Sequence, residues 1–148
     1  MTIKISMTSR SRKNNYTALK ADRIFKIGLR KALFDIGLDA TRESIDIINN
    51  SGRTGRIYNI RGNPHTASAP GEAPANRTGR LKKSMNYRVR DISEVEWGSL
   101  IPYGEFLEKG TRRMAKRPFL TPIFESRGSH HAQLLLKWVQ DEIKRHRK

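Results

Sequence analysis

One long stretch of helical periodicity, from Thr17 to Ile48, constrains this chain more than any other feature of its sequence. Apolar and small side chains recur there at steps of three and four residues, which places them along one side of a helix. They are Phe25, Leu29, Leu33, Ile36, Ala40, Ser44 and Ile47. At about 1.5 Å per residue such a helix approaches ~50 Å in length, more than one small domain needs for its own core. We therefore expect part of it to lie against a neighbouring subunit.

Two glycines, Gly28 and Gly37, lie inside this predicted helix. In a helix interior each costs up to about 1 kcal/mol relative to alanine. Their presence predicts either close packing against another element or a bend near Gly37.

The other periodic segments are short and predict an α+β fold. The residues from Tyr87 to Arg90 and from Ser93 to Ser99 alternate as strands do, with Val95 and Trp97 pointing inward. The Asp-Ile-Ser turn between them makes a β-hairpin. We expect a small antiparallel β-sheet, built from this hairpin and a strand around Ile57, packed against the long N-terminal helix.

A C-terminal helix is predicted to close the sheet. It runs from Ser129 to His146, after a short helix or turn over residues 121–127. Its apolar stripe consists of Leu134, Leu135, Trp138, Val139 and Ile143.

The chain has 148 residues, which predicts one domain, over residues 16–148, with a basic tail at residues 143–148. Residues 1–15 are polar and basic, and they predict either a short strand or a basic N-terminal arm that orders on a partner; we favour the arm. The absence of cysteine excludes disulfides and thiolate metal sites. No stretch resembles a signal peptide or a membrane span of roughly 20 apolar residues, so we expect a soluble protein without membrane contacts.

Residues 52–77 are rich in glycine and proline and predict an extended loop. Apart from a brief strand-like segment from Arg56 to Ile60, the stretch has no periodicity. Long loops inside compact domains are uncommon unless they are functional or disordered. The proline content suits an extended arm that docks on another chain. The predicted docking residues are Ala69, Pro70, Gly71, Glu72 and Pro74.

The stretch from Pro102 to Pro122 predicts a short helix followed by a rigid corner. Tyr103, Phe106 and Leu107 fall at i, i+3 and i+4 and so share one face. Glu105 and Glu108 would take the other face. Gly110 then ends the helix, in the left-handed conformation common at that position. Pro118 and Pro122 bracket Phe119 and Leu120 and stiffen the segment that follows.

Two blocks of this sequence occur in a fixed order: ASAPGEAPANRTGRLKKSM from Ala67 to Met85, and YGEFLEKGTRRMAKRPFLTP from Tyr103 to Pro122. They resemble a phage tail-component family, named for the tenth gene product of a lambdoid phage. Its members show Ala-Pro-Gly-Glu-Pro-Pro followed by Thr-Gly-Arg-Leu, and later an aromatic residue, Glu, Gly-Thr and Arg-Pro-Phe. The chain departs from this pattern at Ala73, where the family often has proline, and at residues 107–109, before Gly-Thr.

The resemblance implies a virion protein of the tail or neck of a long-tailed phage, assembled in the host cytoplasm. Its fold would be similar to tail-tube and tail-terminator subunits, and it would form a hexameric ring around the DNA channel at the head-proximal end of the tail. The implied partners are further copies of itself, the tail terminator or tube, head-proximal connector proteins and passing DNA. The interface or structural corner would comprise Tyr103, Phe106, Glu108, Gly110, Arg113, Met114, Arg117, Pro118 and Phe119.

The chain is strongly basic, with 30 Lys and Arg against 14 Asp and Glu and a formal net charge of +16. Residues 1–34 and residues 51–90 each hold nine basic side chains and one acid, whereas residues 35–50 are net negative. Such a field favours phosphate backbones or acidic protein surfaces. The predicted contact residues are Arg53, Arg56, Arg61, Arg77, Arg80, Lys82 and Lys83. An alternative function is therefore nonspecific nucleic-acid binding by a protein of phage or prophage origin; the basic side chains could also merely solubilise the chain.

Catalysis and metal binding have no candidate residues in the sequence. Adjacent His130 and His131 would point about 100° apart on a helix, whereas a two-ligand metal face needs i and i+4 spacing. Glu94 and Glu96 share one side of a strand, but basic neighbours would keep both ionised and solvated. No Ser-His-Asp order, phosphate-binding glycine loop or nucleophile elbow is present. We expect no enzymatic activity and no cofactor.

Overall fold

The structure is a computed structural model that describes residues 2–6 and 16–145, with side chains from residue 22 onward. Its elements in chain order are β1 (Thr2–Ser6), α1 (Tyr16–Asn49), β2 (Ile57–Ile60), β3 (Asn63–Thr66), α2 (Arg80–Lys83), β4 (Met85–Asp91), β5 (Glu94–Ser99), α3 (Tyr103–Lys109) and α4 (Thr121–Arg145). The class is α+β as predicted, with a long N-terminal helix, two small antiparallel sheets and a C-terminal helix.

The long first helix has the predicted limits to within one residue. It packs against α4, β4 and β5. Most of the predicted stripe is buried, namely Leu29, Leu33, Ile36, Ala40 and Ser44, and the last turn buries Ile48 more deeply than Ile47. Two apolar side chains of the helix remain at the surface: Ile27 is 58% exposed and Phe34 is 50% exposed. From residue 29 onward, one side of the helix therefore packs into the core of its own subunit.

The main sheet has three antiparallel strands in the order β1-β5-β4. The hairpin of β4 and β5 is confirmed, and both inward residues of β5, Val95 and Trp97, are fully buried. The third strand is Thr2–Ser6, and not the segment around Ile57 that we predicted. For these five residues the strand replaces the favoured basic arm, because β5 offers a free edge to the alternating N-terminal segment. The rest of the predicted arm lies outside the described residues.

β2 and β3 form a separate two-stranded sheet. The predicted loop over residues 52–77 therefore contains a second strand, Asn63–Thr66, in which Pro64 and His65 hide any strand periodicity. Arg61 and Gly62 connect the two strands with φ values of 52° and 83°. Positive φ at both central residues is what a two-residue type I′ hairpin turn requires.

The C-terminal helix is continuous from Thr121 to Arg145, whereas the sequence predicted two pieces separated near Gly128. Leu135 is buried, and Trp138 packs against the same core cluster. Of the predicted basic tail, residues 143–145 form the last turn of this helix, and the remainder lies outside the described residues. Within residues 2–6 and 16–145, no helix has an apolar run of the length that crossing a membrane requires.

Two clusters of buried apolar side chains use α1 as a common wall. One cluster, toward the C-terminal end of α1, contains Ala40, Ile48, Leu81, Met85, Trp97, Phe119, Leu120 and Ile123. The other contains Leu29, Ala32, Leu33, Ile36, Val95 and Leu135. Because the first cluster includes Phe119 and Leu120, the predicted corner before α4 is part of the hydrophobic core.

At Gly37, α1 lies against the hairpin of β4 and β5 with no room for a side chain. A Cβ atom there would lie 2.6 Å from Tyr87 Cδ2 and 2.9 Å from Val95 Cγ2, closer than van der Waals contact allows. We expect Gly37→Ala to lower the free energy of unfolding by about 1–3 kcal/mol, the usual cost of overpacking a core. Urea denaturation measures this change.

Gly128→Ala in α4 is the matched control. Nothing lies within 4 Å of a Cβ atom at that position. Replacing a glycine in an open helix interior should raise the free energy of unfolding by up to about 1 kcal/mol. Equal effects of the two substitutions would contradict close packing at Gly37.

Candidate functional site

A buried carboxylate, that of Glu108, organises the corner between α3 and α4. The residue is 3% exposed. Its two oxygens accept hydrogen bonds from the backbone N–H groups of Phe119 (2.8 Å), Leu120 (3.0 Å) and Thr121 (2.8 Å), and from the Thr121 hydroxyl (2.7 Å). N–H groups at the start of a helix have no partner within the helix, and a negative charge there also meets the positive end of the helix dipole. Glu108 therefore caps α4 from α3.

The orientation of α3 differs from the prediction. We expected Glu108 to lie on the face of α3 opposite Tyr103, Phe106 and Leu107. Instead Glu108 is buried, whereas Tyr103 and Phe106 are 40% and 54% exposed. Leu107, which neighbours Glu108 on the helix, packs against the core. The physical reason is that several N–H donors at the start of α4 need an acceptor inside the protein, and leaving them unpaired would cost more than exposing two rings.

Arg117 connects this corner to the first sequence block. Its guanidinium Nε donates to the Ser68 hydroxyl at 2.9 Å, and its Nε and Nη2 donate to the Ser68 carbonyl oxygen at 3.3 and 3.2 Å. The backbone N–H of Arg117 donates to the carbonyl of Leu107 at 2.7 Å. The next residue, Pro118, leads the chain into buried Phe119. The two blocks that carry the family resemblance are thus in direct contact.

A tight turn joins α3 to Arg117. Gly110 ends α3 as predicted, but with φ 76° and ψ 179° rather than the left-handed helical conformation. A Cβ atom there would lie 2.8 Å from the Met114 carbonyl oxygen and from the backbone nitrogen of Lys116, so only glycine fits. The Thr111 N–H donates to the Met114 carbonyl at 2.8 Å. This turn exposes Arg113 and leaves Met114 half-buried.

The proline- and glycine-rich loop docks on its own subunit. The N–H of Gly71 donates to the carbonyl of Lys116 at 3.0 Å. Ser68 and Pro74 are buried, Ala69 is half-buried, and Pro70 is exposed. From its proline content we predicted that this loop is an extended arm that docks on another chain. Periodicity does not reveal hydrogen bonds to distant backbone atoms, and these bonds hold the loop in place here.

A second carboxylate, that of Glu72, holds the two ends of this loop together. Its Oε2 accepts hydrogen bonds from the backbone N–H groups of Ala69 (2.8 Å) and Thr54 (3.2 Å), and its Oε1 accepts one from the Thr54 hydroxyl. The Thr54 hydroxyl and the Ala69 N–H are the main reasons that the pKa of Glu72 is lowered below its ordinary value. A Cβ atom on Gly52 would lie 2.8 Å from Oε1, so glycine makes room for the carboxylate.

The predicted basic contact residues are only partly brought together. Arg77 and Arg80 line one cleft of about 280 Å³, and Arg117 lines it too. Arg56 lies over the ring of Tyr58, with its Cζ atom 5.8 Å from the ring centroid. The predicted contact residues that do not line the cleft are Arg53, Arg56, Arg61, Lys82 and Lys83.

Two titratable side chains away from this corner, His131 and Glu96, are buried in structural contacts. Among the residues that the structure describes, no three His, Asp or Glu side chains are grouped so that they could hold a metal ion. His131 is buried, and its Nε2 lies 3.4 Å from Asp39 Oδ2. Glu96 is buried rather than solvated as we expected, and it accepts a hydrogen bond from Arg90 Nε at 2.6 Å.

Three residues of this site were missed by the sequence reasoning, namely Thr54, Ser68 and Thr121. Each contacts its partner across a wide sequence separation, of 18, 49 and 13 residues respectively. The sequence does contain one signal for Thr121. A polar residue followed by proline, as in Thr121-Pro122, is typical of the start of a helix, where N–H groups need an acceptor. Nothing in the sequence marks Thr54 or Ser68 as the partner of a distant side chain.

Glu108→Gln tests the capping of α4. Glutamine keeps the size of the side chain but replaces one acceptor oxygen with an NH₂ group, which would face N–H donors. Hydrogen bonds to a charged group contribute about 1.5–3 kcal/mol each, so we expect the free energy of unfolding to fall by about 3 kcal/mol or more. Glu105→Gln on the same helix is the control, because its exposed pair with Lys109 should contribute less than about 1 kcal/mol. Equal small losses in urea denaturation would refute the capping role.

The lowered pKa of Glu72 predicts a pH-dependent contribution to stability. A group whose pKa is depressed in the folded state stabilises the fold above its ordinary pKa, and this contribution is lost as the pH falls through the folded value. Glu72→Gln cannot ionise, so it should unfold at a lower temperature than wild type at neutral pH. In acid the two melting temperatures should converge. A difference that does not change with pH would mean that the charge of Glu72 does not hold the loop.

Comparisons of the chain with protein-family models, with curated proteins and with solved structures found no match. The function must therefore be inferred from the chemistry of the residues themselves. Three features of the geometry bear on the function. Glu108 caps α4 from inside the corner, and Arg117 hydrogen-bonds the loop to this corner. Two exposed aromatic rings lie beside a basic cleft.

Proposed function

We propose that this chain is an assembly subunit of a long-tailed bacteriophage, which completes the head-proximal end of the tail as a ring around the DNA channel. The observation that carries the proposal is the direct contact between the two blocks that resemble a phage tail-component family. Arg117 makes this contact with Ser68, while Glu108 binds Thr121 inside the second block, so the motif residues build a corner fixed by hydrogen bonds. A surface that is rigid before its partner arrives loses less conformational freedom on binding, which favours assembly.

The outer side of the corner carries an apolar surface suited to another protein. Leu100, Tyr103 and Phe106 are 73%, 40% and 54% exposed. Single exposed apolar residues are ordinary, but these three lie within seven positions of one another, and two are aromatic. Aromatic residues are enriched at protein interfaces. We call Leu100, Tyr103 and Phe106 the corner face and assign it to the contact between ring subunits.

The proposal includes a fold similar to tail-tube and tail-terminator subunits, a hexameric ring, and a place in the tail or neck of the virion. Its neighbours would be the tail terminator or tube on one side and head-proximal connector proteins on the other. The net charge of +16 supports a channel that tolerates passing DNA without reading its sequence. The proposal assigns no reaction and no cofactor to the chain.

Nonspecific nucleic-acid binding is the second candidate function, and the basic charge is the observation that favours it. Exposed Arg53, Arg56 and Arg61 lie on or beside the small sheet of β2 and β3, outside the cleft. Such a protein would depend on phosphate contacts, so its affinity would fall steeply as salt rises. A ring subunit would assemble without nucleic acid.

The mass of the purified protein in solution separates the two functions. We would measure it by light scattering at about 50 mM and about 200 mM salt, with and without duplex DNA. A ring that forms in the absence of DNA supports the assembly function. A monomer that binds duplex DNA tightly, with an affinity that falls steeply between the two salt concentrations, would replace it with the nucleic-acid function.

Two phenylalanine substitutions separate folding from assembly. Phe119 is fully buried, so Phe119→Ala should lower the free energy of unfolding by about 3–5 kcal/mol. Phe106 is exposed, so Phe106→Ala should change this free energy by less than about 0.5 kcal/mol but reduce the fraction of protein in the ring. Urea denaturation and light scattering measure the two effects. Normal ring formation by the Phe106 variant would remove the corner face from the interface.

A further inference from the structure

A cleft of about 280 Å³ lies beside the corner face, and Tyr103 belongs to both. Its lining combines apolar side chains with cations. The apolar contribution includes Leu81 and Leu107. No acidic residue of the described chain lines the cleft.

Two of the arginines in this cleft have no side-chain partner among the described residues. The guanidinium of Arg117 is bonded to Ser68. The side chains of Arg77 and Arg80 are exposed and make no hydrogen bond or ion pair with any residue that the structure describes. Unpaired guanidinium groups that line one cleft are suited to a carboxylate, which arginine binds through two parallel hydrogen bonds.

The apolar lining favours a protein segment over a phosphate backbone as the ligand of the cleft. Leu81, Leu107 and the ring of Tyr103 offer area that an aliphatic side chain can cover. A phosphodiester chain gains little from such area, and one aromatic ring is a poor platform for stacking successive bases. The chemistry therefore points to an acidic protein surface.

The chain carries such a surface on α1. Asp35, Asp39, Glu43 and Asp46 recur at steps of four, four and three residues, which places them on one face of the helix. Asp39 faces His131 and Glu43 is paired with Arg127. The carboxylates of Asp35 and Asp46 make no hydrogen bond or ion pair with another described residue. We call these four residues the acidic stripe.

We propose that the cleft binds the acidic stripe of a second copy of this chain, so that Arg77 and Arg80 of one subunit pair with Asp46 of the next, the exposed unpaired carboxylate of the stripe. This inference rests on the proposed ring, of which it names the contact. The two surfaces differ, so the contact is head-to-tail, and repeated contacts of this kind close into a ring when the rotation allows it. The corner face supplies apolar area beside the ion pairs, as interface hot spots usually require.

Charge reversal on each side gives a sharp test with the full-length chain. Arg77→Glu with Arg80→Glu alters the cleft, and Asp35→Lys with Asp46→Lys alters the stripe. Loss of close interfacial ion pairs should weaken self-association about 30-fold or more in either variant alone. An equimolar mixture of the two variants should restore it, because each altered surface then meets its complement. Sedimentation velocity measures association, and circular dichroism verifies that each variant is folded.

Arg53→Glu with Arg61→Glu is the matched control, since it changes the net charge equally at exposed positions outside the cleft. This control should associate as the wild type does, except for the small change in affinity that the altered net charge causes wherever the substitutions lie. Normal association of the cleft variant, or failure of the mixture to recover, would overturn the inference while leaving a ring intact. A wild-type protein that never associates would contradict the ring itself. Duplex DNA binding that is lost in the cleft variant and not restored by mixing would identify the ligand as phosphate instead.

Discussion

The carboxylate of Glu108 is the interaction on which the rest of this structure depends. Four donors at the start of α4 converge on it, three of them backbone N–H groups that no helical partner can satisfy. By fixing where α4 begins, Glu108 also fixes Phe119 and Leu120 in the core cluster that they share with α1. Without an acceptor at this place, those residues could be buried only with unpaired N–H groups, which is costly in a protein interior.

The same constraint determines what the corner presents to other molecules. Because Glu108 must face the interior, Tyr103 and Phe106 on α3 remain at the surface. Arg117 meanwhile holds the proline-rich loop against the corner, and the cleft with Arg77 and Arg80 lies between them. The proposed ring contact thus follows from the burial of one acidic side chain. An apolar surface next to unpaired cations suits a partner that is itself acidic and folded, and the acidic stripe of a second copy fits that description.

Local periodicity was enough to predict α1, the hairpin of β4 and β5 and the α+β class, because many residues of one segment carry each signal. Features that depend on distant partners could not be predicted. The pairing of Thr2–Ser6 with β5 depends on an open strand edge, and the strand Asn63–Thr66 depends on a turn at Arg61-Gly62 that lacks the usual asparagine. The corner at residues 117–121 was predicted from its prolines. Its capping residue was assigned to the wrong face, because the apolar spacing of α3 outweighed the unseen N–H groups of α4.

Amide hydrogen exchange at residues 119–121 tests the central role of Glu108 most directly. Protected amides in a core exchange only when the whole domain unfolds, whereas amides of surface turns exchange through local opening. We predict that the N–H groups of Phe119, Leu120 and Thr121 exchange with the free energy of global unfolding, and that Glu108→Gln converts them to local opening. Exchange of these three amides in the wild type as fast as that of exposed Arg112 and Arg113 would contradict this role.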